Sequence, residues 1–330
     1  IGDLVFGGTT LNITGDQNLT VDAALDASLD LIDASAATGK LDLTTANDAT
    51  TPDATVASVD VVDITVKGGS GNDNLDLTNN ATNNEILVEA GAGDDVIHLG
   101  ATPVNAAATI AGDVIKGGAG TDTLNVDVDI VDGGTAGITG LTTITGISEV
   151  EALTIDGFAA EANTVNLSNI SSEIDTVTVA SATGGNLTIN AAGSLTVNVG
   201  GAAAILDNDT LTVDSGAGTA DALTIANTNL ATTTNQIGAD DTSITATDFE
   251  TVTINSGNYN TATAQLVAAI NVGAANALVL TGGNGITTTA TTGIITAKTI
   301  DASGLSGGLI MNVAAAAGVT TITGGSEQTH

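Results

Sequence analysis

The 330-residue sequence predicts an all-β protein, a right-handed parallel β-solenoid or β-roll with glycine-rich turns and irregular insertions. Three observations predict it. Short segments alternate aliphatic and polar residues with period 2, and Gly, Asn or Asp bound nearly all of them. The large residues that fill a wide core are scarce.

The alternating segments share one form. They read Leu-Thr-Ile-Asp at 153–156, Leu-Thr-Ile-Asn at 187–190, Leu-Thr-Val-Asn at 195–198 and Leu-Thr-Val-Asp at 211–214. Leu-Thr-Ile at 223–225 and Val-Thr-Ile-Asn at 252–255 follow the same pattern. In an extended chain successive side chains point to opposite faces, so Leu with Ile or Val shares one face and Thr the other. The residues that bound them are those of tight turns. Intervals between segments are irregular, so the rungs carry insertions.

A longer unit also recurs. Ile32-Asp33-Ala34-Ser35, followed by Thr38-Gly39 and Leu41, returns with the same spacing as Ile300-Asp301-Ala302-Ser303, Ser306-Gly307 and Leu309. A unit repeated along a chain is the mark of a solenoid. Helical signals are few: residues 262–270, which contain Gln265-Leu266-Val267-Ala268-Ala269, predict a short helix, and 313–317 a weaker one. The glycine and charge pattern shifts near Gly133. A boundary there separates a segment 1–132, which holds the glycine-rich motifs, from a further solenoid segment 133–330; with no linker between them, one continuous domain is the alternative.

Aromatic residues make up 1% of the chain: Phe6, Phe158, Phe249 and Tyr259. Leu, Ile, Val and Ala must therefore fill the core, which suits a narrow space between closely spaced sheets. With 42% hydrophobic and 13% charged residues the chain is not of disordered composition, despite 41 glycines. No apolar run is long enough for a membrane helix, and cysteine is absent. The chain begins at Ile1 without a basic, apolar leader and reads as a mature or proteolysed piece of something longer.

Thirty-eight acidic residues face four lysines and no arginine, a formal net charge of −34. Such a field repels phosphate backbones and anionic lipid, which argues against a nucleic-acid role. Thirty of the acids are Asp and eight Glu. Helix surfaces use Glu freely, whereas turns and oxygen-ligated cation sites favour the shorter Asp.

One stretch concentrates these features. Gly68-Gly69-Ser70-Gly71-Asn72-Asp73-Asn74-Leu75 fits the nonapeptide G-G-x-G-x-D-x-U, with U a large apolar residue, and Gly117-Gly118-Ala119-Gly120-Thr121-Asp122-Thr123-Leu124 fits it again. Ala90-Gly91-Ala92-Gly93-Asp94-Asp95-Val96-Ile97 fits with one Gly replaced by Ala. Lys67 and Lys116 precede the two full copies. A fourth copy, from Ser215 to Leu223 with its Asp at Asp221, needs a one-residue insertion. Glycines let the backbone turn with positive φ and direct carbonyls inward, the Asp adds a carboxylate, and the apolar residue starts the next strand. Hard oxygen ligands in a flexible arrangement suit Ca²⁺ better than Mg²⁺. One turn supplies too few ligands, so ions are expected between stacked turns. The candidate ligand positions are Gly69, Gly71 and Asp73; Gly91, Gly93 and Asp95; Gly118, Gly120 and Asp122; and Asp221. The spacings from Asp73 to Asp95 and on to Asp122, 22 and 27 residues, require insertions, and the polar stretches 78–84 and 101–108 provide them. Asp73, Asp95 and Asp122 are expected to stack on one edge.

These motifs resemble the RTX calcium-binding repeat. Together with the Thr/Ala/Gly-rich strands, the Ile-Asp-Ala-Ser units and the near absence of aromatics and Cys, they resemble the calcium-dependent S-layer proteins of Gram-negative bacteria. The resemblance implies type I secretion, folding outside the cell on Ca²⁺, and self-assembly into a lattice on the cell surface. It also implies attachment to surface polysaccharide or lipopolysaccharide through parts outside this chain. An RTX adhesin or extracellular fibre subunit is the alternative.

Enzymatic readings are weaker. RTX proteases need a zinc helix of the H-E-x-x-H kind, which neither His98 nor His330 supplies. Carboxylate-pair glycosidases usually add aromatic platforms and Arg or His. His98 alternates as a strand residue, and Asp240-Asp241 and Asp207-Asn208-Asp209 read as acidic turns. An ice-binding solenoid needs regular Thr arrays on a flat face; residues 287–292 hint at one, but the rungs read as too irregular. The expected function is structural and not enzymatic.

Overall fold

The computed structural model describes residues 8–45, 62–78, 85–99, 114–126, 146–156, 163–181, 186–200, 210–216, 218–228, 243–257, 265–273, 276–288, 295–311 and 319–325. These form an all-β chain of parallel strands, coiled as a right-handed β-solenoid. No helix among them is long and apolar enough to cross a membrane. The chain divides into two compact units, Ile1–Thr154 with Asn169–Ile174, and Ile155–Ser168 with Asp175–His330. The boundary expected at Gly133 lies outside the described residues.

In the first unit each coil gives two strands. They are Thr10–Gly15 (β1) and Leu19–Thr20 (β2), Leu31–Ala37 (β3) and Leu41–Thr44 (β4), and Val62–Lys67 (β5) and Asn74–Asp76 (β6). Next come Glu85–Ala92 (β7) and Val96–His98 (β8), Val114–Ala119 (β9) and Thr123–Val126 (β10), and Ile147–Ser148 (β11) and Ala152–Asp156 (β12). Odd strands stack as β1-β3-β5-β7-β9-β11 and even strands as β2-β4-β6-β8-β10-β12. The glycine-rich turns join β5 to β6, β7 to β8 and β9 to β10. Period-2 alternation then builds the core as columns: Leu43, Leu75, Ile97 and Leu124 lie in successive register. Each is at most 2% exposed. A second buried column, Leu77, Leu99 and Val126, lies beside the first, and burying one such side chain contributes about 1.5–3 kcal/mol.

The second unit begins with Asn163–Asn166 (β13), a 3₁₀ turn at Leu167–Asn169, Thr176–Ser181 (β14), Leu187–Asn190 (β15), Leu195–Val199 (β16), Thr210–Asp214 (β17) and Ala222–Asn227 (β18). Ser243–Thr247 (β19), Thr251–Asn255 (β20), Gln265–Val267 (β21), Ala269–Asn271 (β22), Ala277–Gly282 (β23) and Ile286–Thr288 (β24) follow. Ile295–Thr296 (β25), Thr299–Leu305 (β26), Leu309–Ile310 (β27) and Thr321–Thr323 (β28) complete it. β14-β16-β18-β20-β23-β26-β28 stack on one side and β13-β15-β17-β19-β22-β25 on another. The later coils add a third side, β21-β24-β27. Inward residues again form a column, Val177, Val197, Ile225, Ile254 and Leu280.

The helix expected over 262–270 is not formed. Gln265–Val267 and Ala269–Asn271 are strands. Ala and Gln favour helix locally, but Val267 and Ile270 are buried in the solenoid core, and tertiary burial outweighs a weak propensity. Residues 313–317 lie outside the described ones, as do 79–84 and 101–108 from the expected insertions.

The Ile-Asp-Ala-Ser unit is a bulged corner. The β1–β3 register slips between Asn12 and Thr14, opposite Asp33–Ala36, and the β23–β26 register slips between Val279 and Thr281, opposite Asp301–Gly304. In each copy the Asp Oδ1 accepts the N–H of the Ser two residues on, Ser35 and Ser303. The Ser35 and Ser303 hydroxyls, with that bond, hold both carboxyls below the usual carboxylate range.

The rungs are more regular than their sequence spacing suggests. Thr176, Thr196, Thr224 and Thr253 stand in register on the solvent side of four successive strands. The array is one residue wide, because the next outward column reads Thr178, Asn198, Ala226 and Asn255. A shallow groove runs beside it, lined by Asp175, Thr176, Ser194, Thr196 and Thr224.

Candidate metal centre

The three glycine-rich turns of the first unit stack on one edge, between β5 and β6, β7 and β8, and β9 and β10. Sequence spacing placed Asp73, Asp95 and Asp122 there, and the structure brings them together. Two reasons account for the glycines. Gly91, Gly93, Gly118 and Gly120 have φ between 113° and 147°, a region other residues avoid. Gly69 and Gly71 do not, and positive φ is not their reason. A Cβ on Gly69 would strike the carbonyl of Ala37, and one on Gly71 would lie 2.7 Å from the Gly39 backbone. There the requirement is close approach of one coil to the next.

The Asp side chains form a ladder. Asp95 Oδ1 accepts the backbone N–H of Asp73 at 2.7 Å, and Asp122 Oδ1 accepts that of Asp95 at 2.9 Å. Asp73 Oδ1 accepts the N–H of Leu41 at 2.8 Å, and its Oδ2 that of Gly69 at 3.0 Å. Each carboxylate therefore caps the turn of the preceding coil. One residue earlier, acceptors run the other way: Asn72 Oδ1 takes the N–H of Asp94, and Asp94 Oδ1 that of Thr121. The turn backbones are thus bound from both directions.

Asp73, Asp95 and Asp122 are each at most 1% exposed. Asp95 Oδ2 and Asp122 Oδ2 are buried and have no hydrogen-bond donor. Burial pushes the Asp95 carboxyl up to about 6; the Asp73 N–H bond opposes the rise, and the charges of Asp73, Asp122 and Asp94 add to it. Burial also raises Asp122, with Glu151, Asp94 and Glu149 contributing, and raises Asp73 against its two N–H bonds and Lys40. Lys40 offsets part of the charge at Asp73, but no lysine acts on Asp95 or Asp122, the two acids with a bare oxygen. Lys67 and Lys116 instead flank Glu89 on the outer face, at 3.5 and 3.9 Å. This explains their identical places before the two full motifs. Exposed pairs of this kind contribute roughly 0–1 kcal/mol.

The fourth candidate, Asp221, occupies a turn between β17 and β18 in the second unit, but it is half-buried, and the acid that takes its N–H is Glu250, not an Asp. Its carboxylate crowds the place a Cβ on Gly218 would take. His98 is satisfied, with Nε2 2.7 Å from Asn74 Oδ1. His330, Asp240-Asp241 and Asp207–Asp209 lie outside the described residues.

Two residues escape the nonapeptide pattern. Glu151 Oε2 accepts the N–H of Asp122 at 2.9 Å, and Glu250 Oε2 that of Asp221 at 2.7 Å. Each follows a fully buried apolar residue, Val150 or Phe249, and an acid with positive φ, Glu149 at 57° or Asp248 at 60°. The signal was in the sequence: Glu149-Val-Glu-Ala-Leu-Thr-Ile155 and Asp248-Phe-Glu-Thr-Val-Thr-Ile254 are one corner written twice.

The donors suit a hard cation. Among the described residues no three His, Asp or Glu side chains converge on one point. The ladder offers one carboxylate per coil, so an ion would take one or two carboxylates and complete its shell from turn carbonyls. Calcium accepts six to eight such oxygens in loose geometry, whereas magnesium demands a strict octahedron. The bare Oδ2 atoms of Asp95 and Asp122 and the Cβ-free turns fit that requirement. No family model matches the chain, and no curated protein or solved structure matches it either.

Proposed function

We propose that the chain is a calcium-dependent structural solenoid of the extracellular surface, which self-assembles into an S-layer-like lattice. Calcium binds along the ladder of Asp73, Asp95 and Asp122, supported by the carbonyls of the turns at Gly69, Gly71, Gly91, Gly93, Gly118 and Gly120. The observation that carries this reading is the pair of buried, donor-less oxygens, Asp95 Oδ2 and Asp122 Oδ2. A cation supplies the missing partner and offsets the burial of adjacent negative charges.

Assembly follows from the same charge. Chains with a formal charge of −34 repel one another unless divalent ions bridge them. The outward Thr columns are small and flat enough for close contact once that repulsion is relieved. The role proposed is structural: the buried acids cap the backbone amides of neighbouring turns.

Imaging of purified protein tests the assembly. Ordered sheets in millimolar calcium that dissolve on chelation are expected; monomers at high concentration in calcium would remove the lattice from the account, and fibres would favour an adhesin or fibre subunit.

A further inference from the structure

We propose that Glu151 is a calcium ligand that closes the ladder, forming a site with Asp122 at a coil junction where the following coil lacks the nonapeptide. The inference rests on the reading of the ladder as a calcium site and extends it by one residue.

The junction between the Asp122 coil and the Glu151 coil repeats the geometry of the others. Glu151 Oε2 holds the N–H of Asp122 as Asp122 holds that of Asp95 and Asp95 that of Asp73. The backbone corresponds as well. A Cβ on Gly68 would strike the carbonyl oxygen of Ala90 in the next coil, and one on Gly117 would strike that of Glu149. In both turns the motif's own carboxylate crowds the same point: Asp73 Oδ2 at 2.8 Å and Asp122 Oδ2 at 2.6 Å. The Asp122 oxygen is buried and without a donor. A carboxylate oxygen and a turn carbonyl therefore approach each other beside the glycine, where a side chain would part them.

This coil does not fit the nonapeptide because its corner is shorter. Ser148 pairs with Lys116, and Ala152 N–H bonds to Asp122 O as Thr123 N–H bonds to Asp95 O. Glu149 thus stands at the level of Gly117, and Leu153 at that of Leu124. Three residues are lost between these anchors, and the acid carries one more methylene. The longer arm of Glu spans what the missing backbone would have. The positive φ of Glu149 and the burial of Val150 fix that shortened path. The second unit's Asp221–Glu250 pair shares the N–H bond but has no buried bare carboxylate oxygen among its described atoms, and the proposal does not extend to it.

Calcium binding to the full chain, counted by equilibrium dialysis and isothermal titration, tests the assignment with E151Q, D95N and D175N. Gln keeps an oxygen for the Asp122 N–H and removes the charge. E151Q is expected to bind one ion fewer than the unmodified chain, or to bind that ion at least tenfold more weakly. D95N should also lose binding, and D175N should match the unmodified chain. If E151Q binds like the unmodified chain while D95N is impaired, Glu151 is a backbone cap only and the inference is overturned. An unmodified chain that binds no calcium overturns the ladder reading itself. Should E151Q fail to fold, carbodiimide labelling of the folded, unmodified chain during a calcium titration decides the matter. Protection of Glu151 that rises with the bound-ion count supports the site, and labelling that tracks Glu250 throughout contradicts it.

Discussion

Asp122 accepts the backbone N–H of Asp95 at 2.9 Å across 27 residues of sequence, and its other oxygen is buried with no donor at all. One atom of the carboxylate stabilises the neighbouring turn; the other requires something the chain does not provide. That division of labour within one side chain links the fold to the proposed calcium site.

Substitution at Asp95 separates the two roles. D95N keeps an oxygen for the Asp73 N–H and removes the buried charge. Without calcium the variant should be more stable than the unmodified chain by about 1–3 kcal/mol, because a desolvated carboxylate has been neutralised. With calcium it should bind at least tenfold more weakly. The same change at exposed Asp16 should do neither. Chemical denaturation with and without calcium reads both signs, and a D95N chain less stable than the original in both conditions would contradict the assignment.

Acid should act as calcium does. The folded-state carboxyl of Asp95 titrates near 6 against an ordinary value of 3.8, so the folded chain holds the proton more tightly than the unfolded chain does. Its contribution is fully present below pH 4 and is lost as pH rises through 6. That shift corresponds to on the order of 3 kcal/mol, with Asp73 and Asp122 acting in the same direction. Calcium-free protein should therefore melt higher at pH 5 than at pH 7.5, while calcium affinity should fall over the same acidification. Thermal melts in chelator at the two pH values check this, and a higher melting point at pH 7.5 would count against the buried ladder.

The glycines of the edge should differ sharply from those elsewhere. Gly118 has φ of 113°, and a Cβ there would collide with the Gly91 carbonyl, so G118A should cost at least about 2 kcal/mol. Gly308 meets nothing within 4 Å, and G308A should stay within about 0.5 kcal/mol of the unmodified chain. Denaturation midpoints compare them; equal costs would mean that coil-to-coil contact at the edge is not what requires glycine.

The strands were legible because alternation needs no partner to be read: Leu187 and Leu211 share one inward column and Leu195 and Leu223 another, all buried as the pattern put them. The stacking of Asp73, Asp95 and Asp122 was legible because each motif fixes its own place in a coil. What each carboxylate would bond was not, since its donor sits one coil away behind an insertion of variable length. Glu151 was missed because its corner has lost the very glycines that mark the others. Residues around Val267 and Ile270 read as helix because Ala is locally permissive, and the core they enter is set by strands far along the chain.

The most direct test of the account is far-ultraviolet circular dichroism of the chain during chelation and calcium return. Each ion bound only by the folded form adds about 2.7 kcal/mol at a hundredfold excess over its dissociation constant, so a few ions equal much of the 5–15 kcal/mol that typically holds a domain together. The account predicts a large loss of β signal in EGTA at neutral pH, restored by Ca²⁺ and not by Mg²⁺. A spectrum unchanged after complete chelation would contradict it.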